Sequence, residues 1–281
     1  MESDPLAPNY VRVKRGKSGV CNICLTACDL KWDHVPPQGG VDVGPLDQYT
    51  ILERLAGRSS NPNRVLTQNG VKYRTLCQTC NSNLLGGQYD RTLNEFALGV
   101  GRFLKTALTL PATTTFATRP ARLLRAVFGH LLAAKAEVEH TNPDEAMRQF
   151  VLKPTAALPP ELNVFYWIYP YPEVHVVRDV AMPSRYASIA KPGIFSILKY
   201  FPVAYLVANL KEYEGLPSLS FYCPVDIDAV VQLPLPLAGA KPADWPEDGN
   251  NIVAGGGTAA HSSVSAFPKG TDIRRPTTRT S

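Results

Sequence analysis

The chain has 281 residues, 44% of them hydrophobic and 19% charged, and a formal net charge of +5. That length holds one large or two ordinary domains, and the composition is that of a folded protein, not of a disordered polyelectrolyte. No run approaches the roughly 18 uninterrupted apolar residues of a membrane helix, and the N-terminal residues have no apolar stretch of the secretory kind; the expectation is a cytoplasmic protein without membrane contact.

The charge is unevenly spread: 19 of the 29 Lys and Arg residues lie within residues 1–154. Arg12, Lys14, Arg15 and Lys17 cluster just ahead of the first cysteine pair, where they suit phosphate contacts or a solvated arm. Four of the six cysteines then form two C-x-x-C pairs, Cys21/Cys24 and Cys77/Cys80, separated by a segment rich in Gly, Pro, Asp and Asn. After the second pair, Leu93, Phe96, Ala97, Val100, Phe103, Leu104 and Ala107 recur at three- and four-residue steps, which predicts an amphipathic helix over 88–108. Residues 120–138 predict a second, opened by Pro120 at a position that tolerates a missing N–H, and 143–151 a third, shorter one.

From about residue 160 the texture changes to β-branched and aromatic runs broken by Pro and Gly: NVFYWIY, VHVVRDVAM, IFSILKYF, VAYLVANL, LSFYCPV and AVVQLPLPL. These predict strands. Beyond Ala238 the residues are mostly Gly, Pro, Ala, Ser, Thr and Asn, a composition that predicts a disordered tail. The expected class is α+β. Residues 1–110 form a metal-stabilised module, 111–154 a helical extension, 155–238 a mostly antiparallel β domain of unknown role, and 239–281 the tail. The near-neutral β domain suits oligomerisation or a protein partner.

Reducing conditions keep thiols free, so two C-x-x-C pairs in a cytosolic chain point to a tetrahedral zinc bound by Cys21, Cys24, Cys77 and Cys80. Four protein ligands leave no position for water, which makes this zinc structural. Cys28 could replace Cys24; its simpler reading is a small packed thiol.

Between the pairs stands Trp32-Asp33-His34-Val35-Pro36-Pro37-Gln38-Gly39-Gly40, and Asn81 follows Cys80 directly. Over residues 19–90 this arrangement resembles the HNH, or ββα-metal, endonucleases, whose fold is treble-clef-like. The resemblance implies metal-dependent hydrolysis of DNA phosphodiester bonds to 5′-phosphate and 3′-hydroxyl ends. It makes His34 the general base, and Asp33 and Asn81 the ligands of a catalytic Mg²⁺ or Mn²⁺ ion. By association alone, such a chain suits phage defence or restriction.

Three departures from the family pattern stand out. Lys72 occupies the usual middle Asn position, with Asn69 three residues upstream, and Leu84 the position of a usual Lys. The 42 residues between His34 and Cys77 are about twice the compact length, so LDQYTILERLAGRSS is expected to be an inserted helix. Asn83, Tyr89, Asp90 and Arg91 are near enough in sequence to reach the metal or the phosphate, but read more simply as structural. His130, His140 and His175 read as packing or surface histidines, His261 lies in the expected tail, and Cys223 reads as a buried strand cysteine. Two other functions compete: a catalytically silent zinc-knuckle module that binds nucleic acid, and a zinc scaffold whose β domain holds the function.

Overall fold

The structure, a computed structural model, describes residues 15–51, 64–181, 194–247, 254–255 and 262–271. Its class is α+β. A three-stranded antiparallel sheet has the order β1-β2-β5, from β1 (Ser18–Val20), β2 (Ala27–Val35) and β5 (Val71–Cys77). The large antiparallel sheet runs β4-β3-β13-β8-β9-β10-β7, with β3 at Pro45–Thr50, β4 at Val65–Gln68, β7 at Asn163–Ile168, β8 at Val174–Ala181, β9 at Ile194–Tyr200, β10 at Val203–Ala208 and β13 at Val264–Pro268. A short β12 (Ala254–Gly255) pairs with β8 off this path. A separate ribbon joins β6 (Thr113–Thr118) to β11 (Val231–Pro236). Among the described residues no helix is long and apolar enough to cross a membrane.

Period-2 alternation explains the large sheet. In β7, Val164, Tyr166 and Ile168 face the main core, while Phe165 and Trp167, with Tyr169 just beyond, face a second apolar cluster closed by Tyr213 and Trp245. Strands covered on both faces read as continuous apolar runs, which is why the sequence shows them clearly. The helices pack on the main-core side. A π-wound segment, α1 (Thr79–Tyr89), runs directly into α2 (Asp90–Thr106), with the Asp90 N–H donating to the Leu85 carbonyl five residues back. α3 (Pro120–Ala133) is buried at every position except Arg122, so it serves as the central helix of the molecule. Each of its large apolar side chains contributes about 1.5–3 kcal/mol relative to exposure. It stops short of the expected end at 138, capped at Ala134, whose N–H donates to the His130 and Leu131 carbonyls. α4 (Asn142–Leu152) is capped by the Thr141 hydroxyl, which accepts from the Asp144 N–H at 3.3 Å.

Several expectations are corrected. Leu46–Thr50 belong to β3 and not to the expected inserted helix; Ile51 is helical, and residues 52–60 of LDQYTILERLAGRSS lie outside the described residues. The long connection from His34 to Cys77 therefore places two strands, β3 and β4, in the large sheet. The chain then returns through Asn69 (φ 58°) and Gly70 (φ 95°) to β5 in the small one. A Cβ at Gly70 would stand 2.3 Å from the Val35 carbonyl oxygen, so only glycine fits that return. The large sheet thus draws strands from both sides of the boundary expected at 154/155.

LSFYCPV is not a strand: Ser220–Tyr222 form one 3₁₀ turn, and Cys223 beyond it is half-buried. The expected disordered tail is also overturned where it is described. β13 lies between β3 and β8 with ladder bonds on both sides, and Ser262, Ser263 and Ser265 are fully buried. Small polar residues fit there because their hydroxyls are satisfied: Ser262 Oγ accepts from the Ala136 N–H at 2.8 Å and Ser263 Oγ from the Arg178 N–H at 2.9 Å.

Candidate functional site

The two C-x-x-C pairs come together. The Cys21-to-Cys24 turn closes with the Leu25 N–H on the Cys21 carbonyl at 3.0 Å, and the second pair folds as a knuckle in which the Cys80 N–H donates to Cys77 Sγ at 3.3 Å. The four sulfurs all lie within 4.8 Å of one another, with Cys24 and Cys77 Sγ 3.7 Å apart. Four cysteines this close can bind a metal ion, and an all-sulfur donor set is compatible with zinc. The Cys21 thiol is held down to about 5 by the Cys80 thiol and by backbone N–H groups, against burial, while Cys77 is pushed up to about 11 by burial. Cys28 packs beside the tetrad without joining it.

The tetrad ties the turn between β1 and β2 to the end of β5 and the start of α1, and a cavity of about 500 Å³ opens between β2, the loop after it, α1 and α2. Asp33, His34 and Asn81, distant in sequence, all line it. Alternation along β2 turns Asp33 inward, 3% exposed, and leaves His34 half-buried at the cavity wall, opposite Lys72 on β5. Burial and then the Lys72 charge lower the His34 pKa below the usual imidazole range, so the ring is neutral at neutral pH. Asn81 donates its amide N–H to the Trp32 carbonyl at 2.9 Å, which leaves its side-chain oxygen outside that bond. The π winding of α1 sets residues five apart on one face, and Asn81 and Gly86 share the cavity wall with Asp90, Asn94 and Glu95 of α2.

His130, expected from sequence as a packing or surface histidine, has a more specific place than that expectation gave it. His130 is fully buried and bridges two carboxylates: Nδ1 lies 2.9 Å from Asp33 Oδ2, and Nε2 lies 3.0 Å from Asp90 Oδ1. Burial opposes its positive charge, but Asp33 and Asp90 outweigh it and raise its pKa well above the usual value. Burial pushes Asp33 up, and His130 pulls it back. His130 can reach both acids because α3 lies very close to α1 at Gly129, where a Cβ would stand 2.3 Å from Leu85 Cδ2. The available signal was a histidine beside glycine in the apolar second half of this helix.

The remaining candidates are placed as follows. Tyr89 is buried and donates to the Val151 carbonyl at 3.0 Å; Arg91 lines the cavity and pairs with Glu95 at 2.8 Å; Asn83 faces the tetrad side instead. Leu84 packs on the core. His175 is buried in β8 against Ser265 and Glu247, and His140 is exposed near Glu145. Of the basic cluster, Arg15 turns inward to the Ala136 carbonyl and Asn22, while Lys17 is exposed; Arg12, Lys14 and His261 lie outside the described residues.

Among the described residues, Glu139, Asp144 and Asp179 form a second grouping that could hold a metal ion, but the Lys135 ammonium sits among all three, 2.7 Å from Glu139 and 2.6 Å from Asp144. Asp33 and Asp90 are not part of any such grouping. Comparisons with protein-family models, with curated proteins and with solved structures found no match.

Proposed function

We propose that this chain is a metal-dependent endonuclease of the HNH kind, hydrolysing DNA phosphodiester bonds in the cavity between β2 and α1–α2. The observation that carries this reading is the convergence of Asp33, His34 and Asn81 on one cavity wall, at the end of a hairpin pinned to a helix by four clustered cysteines. A zinc ion on Cys21, Cys24, Cys77 and Cys80 would have no open coordination position and would act only to hold that frame.

His34 is suited to take a proton from water, because its neutral imidazole is the form present at neutral pH. Asp33 is anchored through one oxygen by His130, and Asn81 through its nitrogen by Trp32, so each keeps a hard oxygen for a divalent ion such as Mg²⁺ or Mn²⁺. Asp90 adds a further carboxylate to the wall. Bound there, such an ion supplies positive charge to the pentacovalent phosphate and the leaving 3′ oxygen. Without a cation these carboxylates would repel a phosphodiester, so the acidic wall itself argues for a metal cofactor.

Purified protein with supercoiled plasmid should nick it in Mg²⁺ or Mn²⁺, leave it intact in EDTA, and give 5′-phosphate ends. Nicking by His34→Ala at the parent rate under matched metal would remove the general-base assignment and favour the silent nucleic-acid-binding module.

A further inference from the structure

Trp32 is 39% exposed on the cavity wall one residue before the Asp33-His34 pair, whereas the other two tryptophans, Trp167 and Trp245, are buried. Its exposure has a local cause. The β2–β5 register shifts between Lys31 and Trp32, and the irregularity leaves both side chains exposed, with Trp32 on the same strand face as His34. Bulges of this kind commonly re-aim a side chain beside a functional site.

The ring is also held in place. The Arg74 guanidinium, facing Trp32 across the ladder, lies 5.1 Å from the ring centroid. Arg74 is itself fixed, because its Nε and Nη2 donate to the Arg15 carbonyl at 3.2 and 2.7 Å. Asn81 holds the Trp32 carbonyl from the other element. Around the ring, Lys31 is exposed on β2, and Lys72 and Arg74 stand partly exposed on β5. The surface is therefore a rigid aromatic plate bordered by cations, beside a cavity whose volume falls within the roughly 300–1,000 Å³ of small-ligand clefts.

We propose that Trp32 is a stacking platform for an unpaired nucleobase, so that the strand engaged at His34 is single-stranded or locally unstacked. Within a duplex the faces of a base are covered by its neighbours, and an indole can stack only on a base that has left the helix. The flanking Lys31, Lys72 and Arg74 suit the phosphates on either side of that base. DNA and RNA share this chemistry. The proposal rests on reading the cavity as a nucleic-acid site, but it does not require hydrolysis.

The test is therefore a binding measurement in EDTA. The wild-type protein, Trp32→Phe and Trp32→Ala are titrated with a fluorescein-labelled single-stranded DNA, the same sequence as RNA, and its blunt duplex; anisotropy and tryptophan emission are read, with melting curves and zinc content as fold controls. Single strands should bind the wild-type protein and quench its emission. Trp32→Ala should bind them on the order of tenfold more weakly with the quenching lost, Trp32→Phe should recover most of the affinity, and duplex binding should not differ among the three. Equal single-strand affinity for wild type and Trp32→Ala, or no single-strand binding by wild type, would overturn the platform. If single strands bind and quench but no plasmid is nicked with Mg²⁺ or Mn²⁺, the platform stands and the endonuclease reading falls. The converse, metal-dependent nicking with no single-strand dependence on Trp32, removes the platform alone.

Discussion

Two groups of buried charges, one built on His130 within α3 and one on Lys135 just beyond its end, differ in one respect. Lys135, Asp144, Arg178 and Asp179 form a closed network: Arg178 and Lys135 each bond Asp144 at 2.6 Å, and the lysine's positive charge occupies the place of a bound cation. In the other group, Asp33, His130 and Asp90, one imidazole serves two carboxylates, and both acids also line an open cavity. The closed group balances its charges internally and has no capacity left for a ligand. The open group is anchored from behind and leaves carboxylate oxygens facing the cavity. Burial and perturbed ionisation occur in both, so neither feature alone marks a functional site; spare valence toward solvent does.

Changes aimed at each group should fail differently. The largest effect is expected at the cysteine tetrad beside the open group. Cys77→Ser should lose bound zinc, and the structural ions of small domains supply on the order of 10 kcal/mol of apparent folding energy. Elemental analysis with thermal melting checks this, and unchanged metal content and melting would remove the tetrad assignment. Next comes a crossed pair. His34→Ala should reduce plasmid nicking by roughly 10²- to 10⁴-fold with the melting curve unmoved. Asp144→Ala should cost about 3–5 kcal/mol of stability by leaving Arg178 and Lys135 buried without their partner, while the protein that remains folded nicks at close to the parent rate. Kinetics and denaturant titrations of both variants decide whether the two groups are functionally separate; a large rate loss in folded Asp144→Ala would merge them.

A smaller, pH-dependent effect separates the groups further. In the closed group, burial pushes the Asp179 carboxyl up, but Arg178 and Lys135 hold it down to about 2. Its contribution is present above the unfolded value near 3.8 and is lost as pH falls through about 2, and it amounts to at most about 2 kcal/mol. Stability of wild type and Asp179→Asn should therefore converge as pH drops through that window; a constant difference would show that the charge of Asp179 contributes nothing. In the open group the sign reverses. His130 has a raised pKa, so its contribution is complete below about 6.5 and declines as pH rises through the folded value. The stability gap between wild type and His130→Gln should narrow on going from pH 6 to alkaline buffer, by denaturant titration at each pH; a gap that widens would mean that His130 is buried neutral.

The sequence by itself determined what local pattern and ligand chemistry can determine. The cysteine pairs announced a shared cluster because each C-x-x-C turn orients two sulfurs without help from the rest of the chain. Helical periodicity placed α2, α3 and α4, and the apolar runs placed β7 to β10, because those patterns reflect burial along a single element. Asp33, His34 and Asn81 were gathered in advance by the resemblance of the Asp-His pair, and of the Asn after the last cysteine, to the HNH pattern. Tertiary structure alone decided the rest. Leu46–Thr50 became a strand because β13 and β4 pair on either side of it, and Val264–Pro268 joined the sheet because β3 and β8 offered two ladders and a slot narrow enough for serine and alanine. His130 acquired its two acids only when α3 packed at the glycine beside it, bringing together residues 97 and 40 positions apart in the chain. Such contacts leave no periodic trace, because nothing in the sequence near His130 records which carboxylates the fold will bring to it.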